Sequence, residues 1–238
     1  RELGNLLNNV SDARLFEEVL KLFLNGSATA TFNLLREYDL LKQLFPGADA
    51  ALKAGDDLGA ALIELSMVNT DKRIRAEKTV TPAFIYAALL WPALQAEQKR
   101  LAAELPPTSA YMQACQNVIS QQLTRTSIPK RFLIPMREIW DLQGRLPSRQ
   151  GLRALRLLDH PRFRASYDFL LMREDAGENL NGLGQWWTSL QSADDEAREQ
   201  MVKDLGKQNS SSRPRRRRPR KPKGSEGSTG DLFDSGAD

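Results

Sequence analysis

Apolar residues recur three or four positions apart along most of the chain, and no stretch shows the strict alternation typical of a strand. Phe16, Val19, Leu20 and Phe23 are one example, with charged residues at the positions between them. A period near 3.6 places such residues on one face of an amphipathic helix. The pattern therefore predicts an all-α fold.

Capping residues, prolines and glycines divide this pattern into separate helices. We expect Pro46-Gly47 to end a helix, the segment 69–71 to interrupt one, and Pro135 to kink one. The predicted helices cover residues 12–24, 27–38 with a short continuation to 45, 57–68, 82–91, 94–105, 109–123, 130–146, 149–158, 162–174 and 185–205.

The composition changes at Gly206, after which the chain consists mainly of Ser, Pro, Arg and Gly. Such a segment has too few apolar residues to offset the entropy lost on ordering, so we expect it to be disordered. The sequence thus predicts a helical region over 1–122, a basic helical region over 123–205 and a disordered Arg/Pro-rich tail over 206–238.

Charge is unevenly distributed, although the whole chain is only +4. Residues 123–173 contain eleven Lys and Arg against four acids, and the tail contains nine against four. Residues 174–205 contain two basic residues and eight acids. A dense cationic tail beside a basic helical segment is typical of a protein that neutralises phosphates.

Two groups of cations are therefore candidates for RNA binding. A membrane tether or a solubilising role for the tail are the alternatives. The candidates in the helical segment are Lys130, Arg131, Arg137, Arg145, Arg149, Arg153 and Arg156, and those in the tail are Arg213, Arg215, Arg216, Arg217, Arg218, Arg220, Lys221 and Lys223. We expect Trp186-Trp187 to lie in the core, with base stacking as the less favoured alternative.

The sequence offers no catalytic or metal-binding constellation. His160 is the single histidine and is expected to cap or pack at a helix start, and Cys115 is expected to pack in the core. Gly182-Leu183-Gly184 lacks the third glycine and the preceding strand of a phosphate-binding loop. One cysteine and no apolar run of about 18 residues favour a cytoplasmic protein without a membrane span.

Four stretches carry a resemblance to a known family. ARLFEEVLKLFLNG (13–26) and TFNLLREYDLLKQLFP (31–46) resemble the neck and early body of the bacterial poly(A) polymerases. IPKRFLIPMREIWDLQGRL (128–146) and RQGLRALRLLDHPRFRASYDFLLMR (149–173) are similar to the most recognisable C-terminal segment of that family. These enzymes belong to the class II nucleotidyltransferases, which also include the CCA-adding enzymes.

The resemblance implies a reaction that this chain does not perform alone. The family's catalytic head carries a Gly-Ser, two-residue gap, Asp-x-Asp signature that binds Mg²⁺ and ATP. Here Gly26-Ser27 is followed by Ala30 at the position of the first Asp, so no catalytic residue is assigned. Because the chain begins with Arg1, we expect a fragment that is inactive without its head. Arg14 and Glu18 match a recurring pair of the neck and are expected to have a structural role.

The leading hypothesis is the RNA-binding C-terminal part of a poly(A) polymerase, an enzyme that adds AMP from ATP to RNA 3′ ends. We expect a monomer whose partners are RNA 3′ ends and, by family resemblance, RNA-decay or RNA-chaperone proteins. A stand-alone helical RNA-binding or scaffold module is the alternative, and the C-terminal region of a CCA-adding enzyme is disfavoured by the tail and by 160–169.

Overall fold

The computed structural model describes the backbone of residues 2–211 and the side chains of residue 4 and of residues 6–205. This part of the chain contains a 3₁₀-helix followed by α-helices and no strand, which confirms the predicted all-α fold. The 3₁₀-helix is Glu2–Asn9, and the α-helices are α1 (Asp12–Phe23), α2 (Ala28–Glu37), α3 (Leu41–Leu44), α4 (Pro46–Lys53), α5 (Asp57–Arg75), α6 (Pro82–Leu101), α7 (Pro107–Leu123), α8 (Lys130–Arg145), α9 (Leu152–Leu158), α10 (Phe163–Asp175), α11 (Leu183–Ser192) and α12 (Asp195–Ser211). None of these helices combines the length and apolar character needed to span a membrane.

Helix α6 is the centre of the fold. Its first three turns, 82–94, are apolar on every side, and all but Phe84 of these residues are buried. A helix that is apolar all round must be covered on all sides, and α4, α5, α7 and α8 pack around it. Thr81 starts the helix as predicted, since its hydroxyl accepts a hydrogen bond from the N–H of Ala83 at 3.3 Å.

The buried residues form two clusters that meet on α8. The larger cluster includes α6 and the N-terminal helices, Met136, Ile139 and Trp140 of α8, and Phe169 and Met172 of α10. The smaller cluster begins on α8 two residues after Trp140, with Leu142 and Leu146, and continues into α9 to α12. Helix α8 thus joins the basic helical segment to the body, and the division at 122/123 stays a prediction.

Several predicted boundaries were wrong because local sequence signals have two possible meanings. Helix α3 ends just before Pro46 as predicted, but the same proline begins the unpredicted helix α4, since a proline in the first turn gives up no intrahelical hydrogen bond. Helix α5 runs unbroken through Thr70 and Asp71. Helix α6 continues through Pro92 and replaces two predicted helices. Pro135 lies inside α8 as predicted, and the kink expected there stays a prediction.

The C-terminal helices also differ from the prediction. The single helix expected over 185–205 is two helices, because Asp194 accepts a hydrogen bond from the N–H of Ala197 at 2.8 Å and starts α12. Helix α12 extends to Ser211, beyond the predicted start of the tail. The predicted disorder of 212–238 lies outside the described residues.

Gly184 and Gly144 provide a matched test of this packing. A Cβ on Gly184 would lie 2.1 Å from Glu174 Oε2 and 2.7 Å from Leu171 Cδ2. Glu174 would then lose its hydrogen bond from the Gly184 N–H, which is 3.0 Å long. A Cβ on Gly144, within α8, meets no atom within 4 Å.

We therefore expect Gly184→Ala to lower the free energy of unfolding by about 1–3 kcal/mol. Gly144→Ala should raise it by about 0.5–1 kcal/mol, because alanine loses less backbone entropy in a helix. Urea denaturation of both variants checks the pair. Equal effects of the two substitutions would contradict the packing at Gly184.

Candidate nucleic-acid interface

The predicted cations of the helical segment lie on α8, on the loop that follows it and on α9. Helix α8 starts after Pro129 as predicted and buries Met136, Ile139 and Trp140, so its polar positions other than the buried Gln143 face outward. Both α8 and α9 pack on α10. The exposed cations on the two helices are Lys130, Arg131, Arg137, Arg145, Arg153 and Arg156.

Arg149 does not lie on α9, contrary to the predicted helix over 149–158. The helix begins at Leu152, after Gly151 adopts a left-handed backbone with φ of 64°. Arg149 is therefore a loop residue, half-buried, with its guanidinium carbon 5.4 Å from the centroid of the Trp186 ring. The predicted spacing of Arg149 with Arg153 and Arg156 on one helical face was wrong for this reason.

The acids of α8 are already engaged by other side chains. Glu138 accepts a hydrogen bond from Nε of Arg162 at 3.0 Å. Asp141 accepts one from the Tyr111 hydroxyl, also at 3.0 Å. Among the described residues, neither carboxylate forms an ion pair with a cation of α8.

The basic residues of 123–173 fall into two classes that the sequence did not distinguish. Arg125 donates two hydrogen bonds to the carbonyl oxygen of Gln43, at 2.8 and 2.6 Å. Arg162, Arg164 and Arg173 form ion pairs with Glu138, Asp168 and Glu178. Within the described part of the chain the seven predicted cations have no carboxylate within 4.0 Å, and we call these residues the α8–α9 basic surface: Lys130, Arg131, Arg137, Arg145, Arg149, Arg153 and Arg156.

Arg173 shows why counting charges overestimates such a surface. Its side chain is only 10% exposed and also donates to Oε1 of Gln143 at 3.0 Å. Its guanidinium carbon lies 4.9 Å from the centroid of the Trp91 ring. A guanidinium with all these partners stabilises the fold and is not available to a phosphate.

Asp71 is a structural residue that the sequence reasoning missed. Its carboxylate accepts hydrogen bonds from the first two N–H groups of α2, those of Ala28 at 2.6 Å and Thr29 at 3.0 Å. Burial raises the pKa of Asp71, but these bonds from the backbone, together with the Thr29 side chain and the charge of Arg75, outweigh it, so the pKa lies below its ordinary value. The N-terminus of α2 is thereby occupied by this carboxylate. The signal available in the sequence was an Asp that lies within a continuing helical pattern instead of at its end.

Glu18 is paired differently from the prediction. Its carboxylate accepts a hydrogen bond from Nζ of Lys21 at 2.9 Å, one turn later on α1. Arg14 is exposed and has no ion pair within the described residues, so the predicted Arg14–Glu18 pair is not formed there. A family role of these two residues stays a prediction.

The residues considered for enzyme chemistry have the structural roles that were expected. His160 Nδ1 accepts a hydrogen bond from the N–H of Arg162 at 3.1 Å, at the start of α10. Cys115 is 1% exposed, and burial raises the pKa of its thiol, which disfavours the reactive thiolate. Gly182 and Gly184 belong to the start of α11.

The described residues contain no cluster of His, Cys, Asp and Glu arranged to hold a metal ion. They do not fit the Mg²⁺ site that the resemblance implies for the family's head, and we assign no residue of this chain to Mg²⁺ or ATP. The predicted tail cations Arg213, Arg215, Arg216, Arg217, Arg218, Arg220, Lys221 and Lys223 lie outside the described residues.

Comparison with known proteins agrees with the resemblance. The chain is 38% identical to "Poly(A) polymerase I" of Salmonella typhi over 224 residues, which cover 90% of this chain and 48% of that protein. It is 39% identical to "Poly(A) polymerase I" of Escherichia coli O157:H7, over a match that covers 90% of this chain and 47% of that protein. It is 36% identical to "Poly(A) polymerase I" of Haemophilus influenzae, over 91% of this chain and 50% of that protein. The chain spans about half the length of the curated relatives it matches.

Two family models match separate parts of the chain. One, described as "Probable RNA and SrmB- binding site of polymerase A", matches residues 1–52. Sequence reasoning had treated that segment only as neck and body. The other, described as "Polymerase A arginine-rich C-terminus", matches residues 103–222, which is half of the chain and includes the α8–α9 basic surface. The chain therefore belongs to the family of polymerase A arginine-rich C-terminal regions.

Proposed function

We propose that this chain is the RNA-binding C-terminal part of an enzyme that adds AMP from ATP to RNA 3′ ends. The observation that carries the proposal is the α8–α9 basic surface, whose seven cations lack carboxylate partners within the described residues. Unpaired surface cations release counterions when phosphates replace them, and this release drives binding to nucleic acid. Arginines of the same segment that already form ion pairs contribute less free energy when they contact a phosphate.

The chain's proposed task is to hold the RNA. Attack of a 3′-hydroxyl on the α-phosphate of ATP, with release of pyrophosphate, belongs in this proposal to a catalytic head that supplies the metal-binding carboxylates. The chain alone should be inactive in ATP-dependent tailing, and AMP incorporation by the purified chain would contradict this assignment.

Residues 1–52 are proposed as a second contact region, on the printed description of the family model that matches them. By that description, RNA and the protein SrmB are its candidate partners. A monomeric state and action in the cytoplasm remain part of the same proposal.

Charge reversal on α8 tests the proposal. We expect Arg137→Glu/Arg145→Glu to weaken binding of single-stranded RNA at least about tenfold. The log–log salt slope should become about 1.4 units less steep if two phosphate contacts are lost. Fluorescence anisotropy at several salt concentrations measures both quantities.

The matched control compares the single variants Lys99→Glu and Arg145→Glu, which change the net charge equally, because Lys99 is an exposed lysine of α6 outside both the α8–α9 basic surface and residues 1–52. Lys99→Glu should bind RNA within about twofold of the unmodified chain, since Lys99 is not one of the proposed contacts. Equal losses in these two single variants would mean that only total charge matters. No loss in the α8 double variant would remove α8 from the RNA path.

A further inference from the structure

Arginine side chains lie over aromatic rings at five places in the described part of the chain. At three of them a carboxylate also pairs with the guanidinium. Arg36 lies over Phe32 and pairs with Glu64, Arg164 lies over Tyr167 and pairs with Asp168, and Arg173 lies over Trp91 and pairs with Glu178.

The remaining two arginines have an aromatic neighbour but no carboxylate among the described residues. Arg131 has its guanidinium carbon 4.9 Å from the centroid of the Phe132 ring. Arg149 has its guanidinium carbon 5.4 Å from the centroid of the Trp186 ring. Both belong to the α8–α9 basic surface, so the two guanidinium groups that lack an ion pair are also the two beside the proposed path of the RNA.

Trp186 is held in place by its buried neighbour. Trp187 is fully buried, and its indole N–H donates to the carbonyl oxygen of Leu146 at 3.1 Å. The Trp186 ring meets the Trp187 ring edge to face, with centroids 4.9 Å apart. This anchoring ties the start of α11 to the end of α8 and keeps the Trp186 ring beside the loop that carries Arg149.

The chemistry of such a pair suits an unpaired nucleobase. A guanidinium is planar and weakly hydrated, and it stacks on aromatic faces. Bases of single-stranded RNA stack on aromatic side chains and on arginine planes. Arg145 and Arg153 lie four residues to either side of Arg149 in the sequence, so phosphate-binding cations flank this position along the chain.

On these grounds we infer that Arg149 with Trp186 is a stacking platform for the bases of single-stranded RNA. The inference rests on the proposed function and adds to it that the bases of the RNA are recognised. The surface then binds bases as well as phosphates. Stacking tolerates every base, because each has a π-face, so it predicts preference for unpaired strands without a sequence motif.

Arg149→Lys is the sharpest test, since it keeps the positive charge and removes the planar group. Binding is measured by anisotropy with two probes of equal length, a short oligoadenylate and an abasic ribose-phosphate strand. We expect Arg149→Lys to weaken oligoadenylate binding about tenfold. Binding of the abasic strand should stay within about twofold, because its phosphates need only the charge.

Arg164→Lys is the matched control, because this exposed arginine also lies over an aromatic ring, that of Tyr167, but pairs with Asp168 and lies outside the α8–α9 basic surface. It should leave both probes unaffected. Trp186→Phe adds a spectroscopic test, because the other three tryptophans, Trp91, Trp140 and Trp187, are buried. Oligoadenylate should change the emission of the unmodified chain, and Trp186→Phe should lose that change while keeping the helical circular dichroism.

The outcomes separate the two proposals. If Arg149→Lys binds oligoadenylate as tightly as the unmodified chain does, the stacking platform at Trp186 is refuted while RNA binding stands. Equal losses for oligoadenylate and the abasic strand also refute it, because Arg149 then contacts phosphate alone. If the unmodified chain binds neither probe, the proposed function fails and the stacking inference fails with it.

Discussion

A chain that ends at Ser211 is expected to bind single-stranded RNA with a far weaker salt dependence than the full chain. The truncation removes eight cations between Arg213 and Lys223 and leaves α12 complete. Each phosphate contact to a single strand contributes roughly 0.7 units to the log–log salt slope. The slope should therefore decrease by up to about 5 to 6 units, with the largest loss of affinity at low salt.

The end point of this truncation matters. A chain cut at Leu205 would also remove the last turns of α12, so a loss of binding there would have two explanations. The control is a full-length chain in which the tail cations are replaced by glutamine, which keeps the length and removes the charge. Anisotropy titrations over a range of salt concentrations measure the slopes of all three chains. If the chain ending at Ser211 keeps the full slope, the tail does not anchor RNA and the α8–α9 basic surface must account for binding.

Asp71→Ala is expected to cause a large loss of stability, about 3 kcal/mol in the free energy of unfolding. The variant removes two hydrogen bonds from the first N–H groups of α2 to a buried charged acceptor. Hydrogen bonds to charged groups contribute about 1.5–3 kcal/mol, and loss of an N-cap costs about 0.5–2 kcal/mol. The two bonds also join α5 to α2 across more than forty residues of sequence.

The effect should depend on pH in one direction. The pKa of Asp71 is lowered in the folded chain because the bonds to its ionised form outweigh the cost of burial. A lowered pKa stabilises the fold above the unfolded-state value of about 4, and this contribution is lost as the pH falls through the folded-state pKa. The stability difference between the unmodified chain and Asp71→Ala should therefore be constant near neutral pH and should shrink below about pH 4.

Glu64→Ala is the control, because it removes another acid of α5. Glu64 forms an exposed ion pair with Arg36, in which a guanidinium nitrogen lies 3.2 Å from Oε1 of Glu64. Such pairs contribute about 0–1 kcal/mol, so the control should lose much less stability than Asp71→Ala. Urea denaturation followed by circular dichroism, at neutral and acid pH, measures both variants. A pH-independent difference for Asp71→Ala would mean that the ionised carboxylate is not what stabilises the start of α2.

Periodicity in the sequence was sufficient for the all-α fold and for most helix positions, because burial of one apolar face is a local property. Phe16, Val19 and Phe23 are buried on α1, and Met136, Ile139 and Trp140 on α8, as their spacing predicts. The errors fell where one local signal has two meanings. Pro46 can start a helix as well as end one, and polar Asp71 can lie inside a helix when a distant N-terminus needs an acceptor.

The candidate RNA-binding surface could also be predicted only in part from the sequence. The sequence by itself determined which residues are basic, that they concentrate in 123–173 and in the tail, and the family resemblance. Only the tertiary structure decided which of these cations are free, because ion pairs such as Arg162 with Glu138 join residues distant in sequence. It also placed Arg149 over Trp186, since that contact depends on how α11 packs on the end of α8. Net charge follows from composition, whereas the availability of each charge depends on the neighbours that folding brings to it.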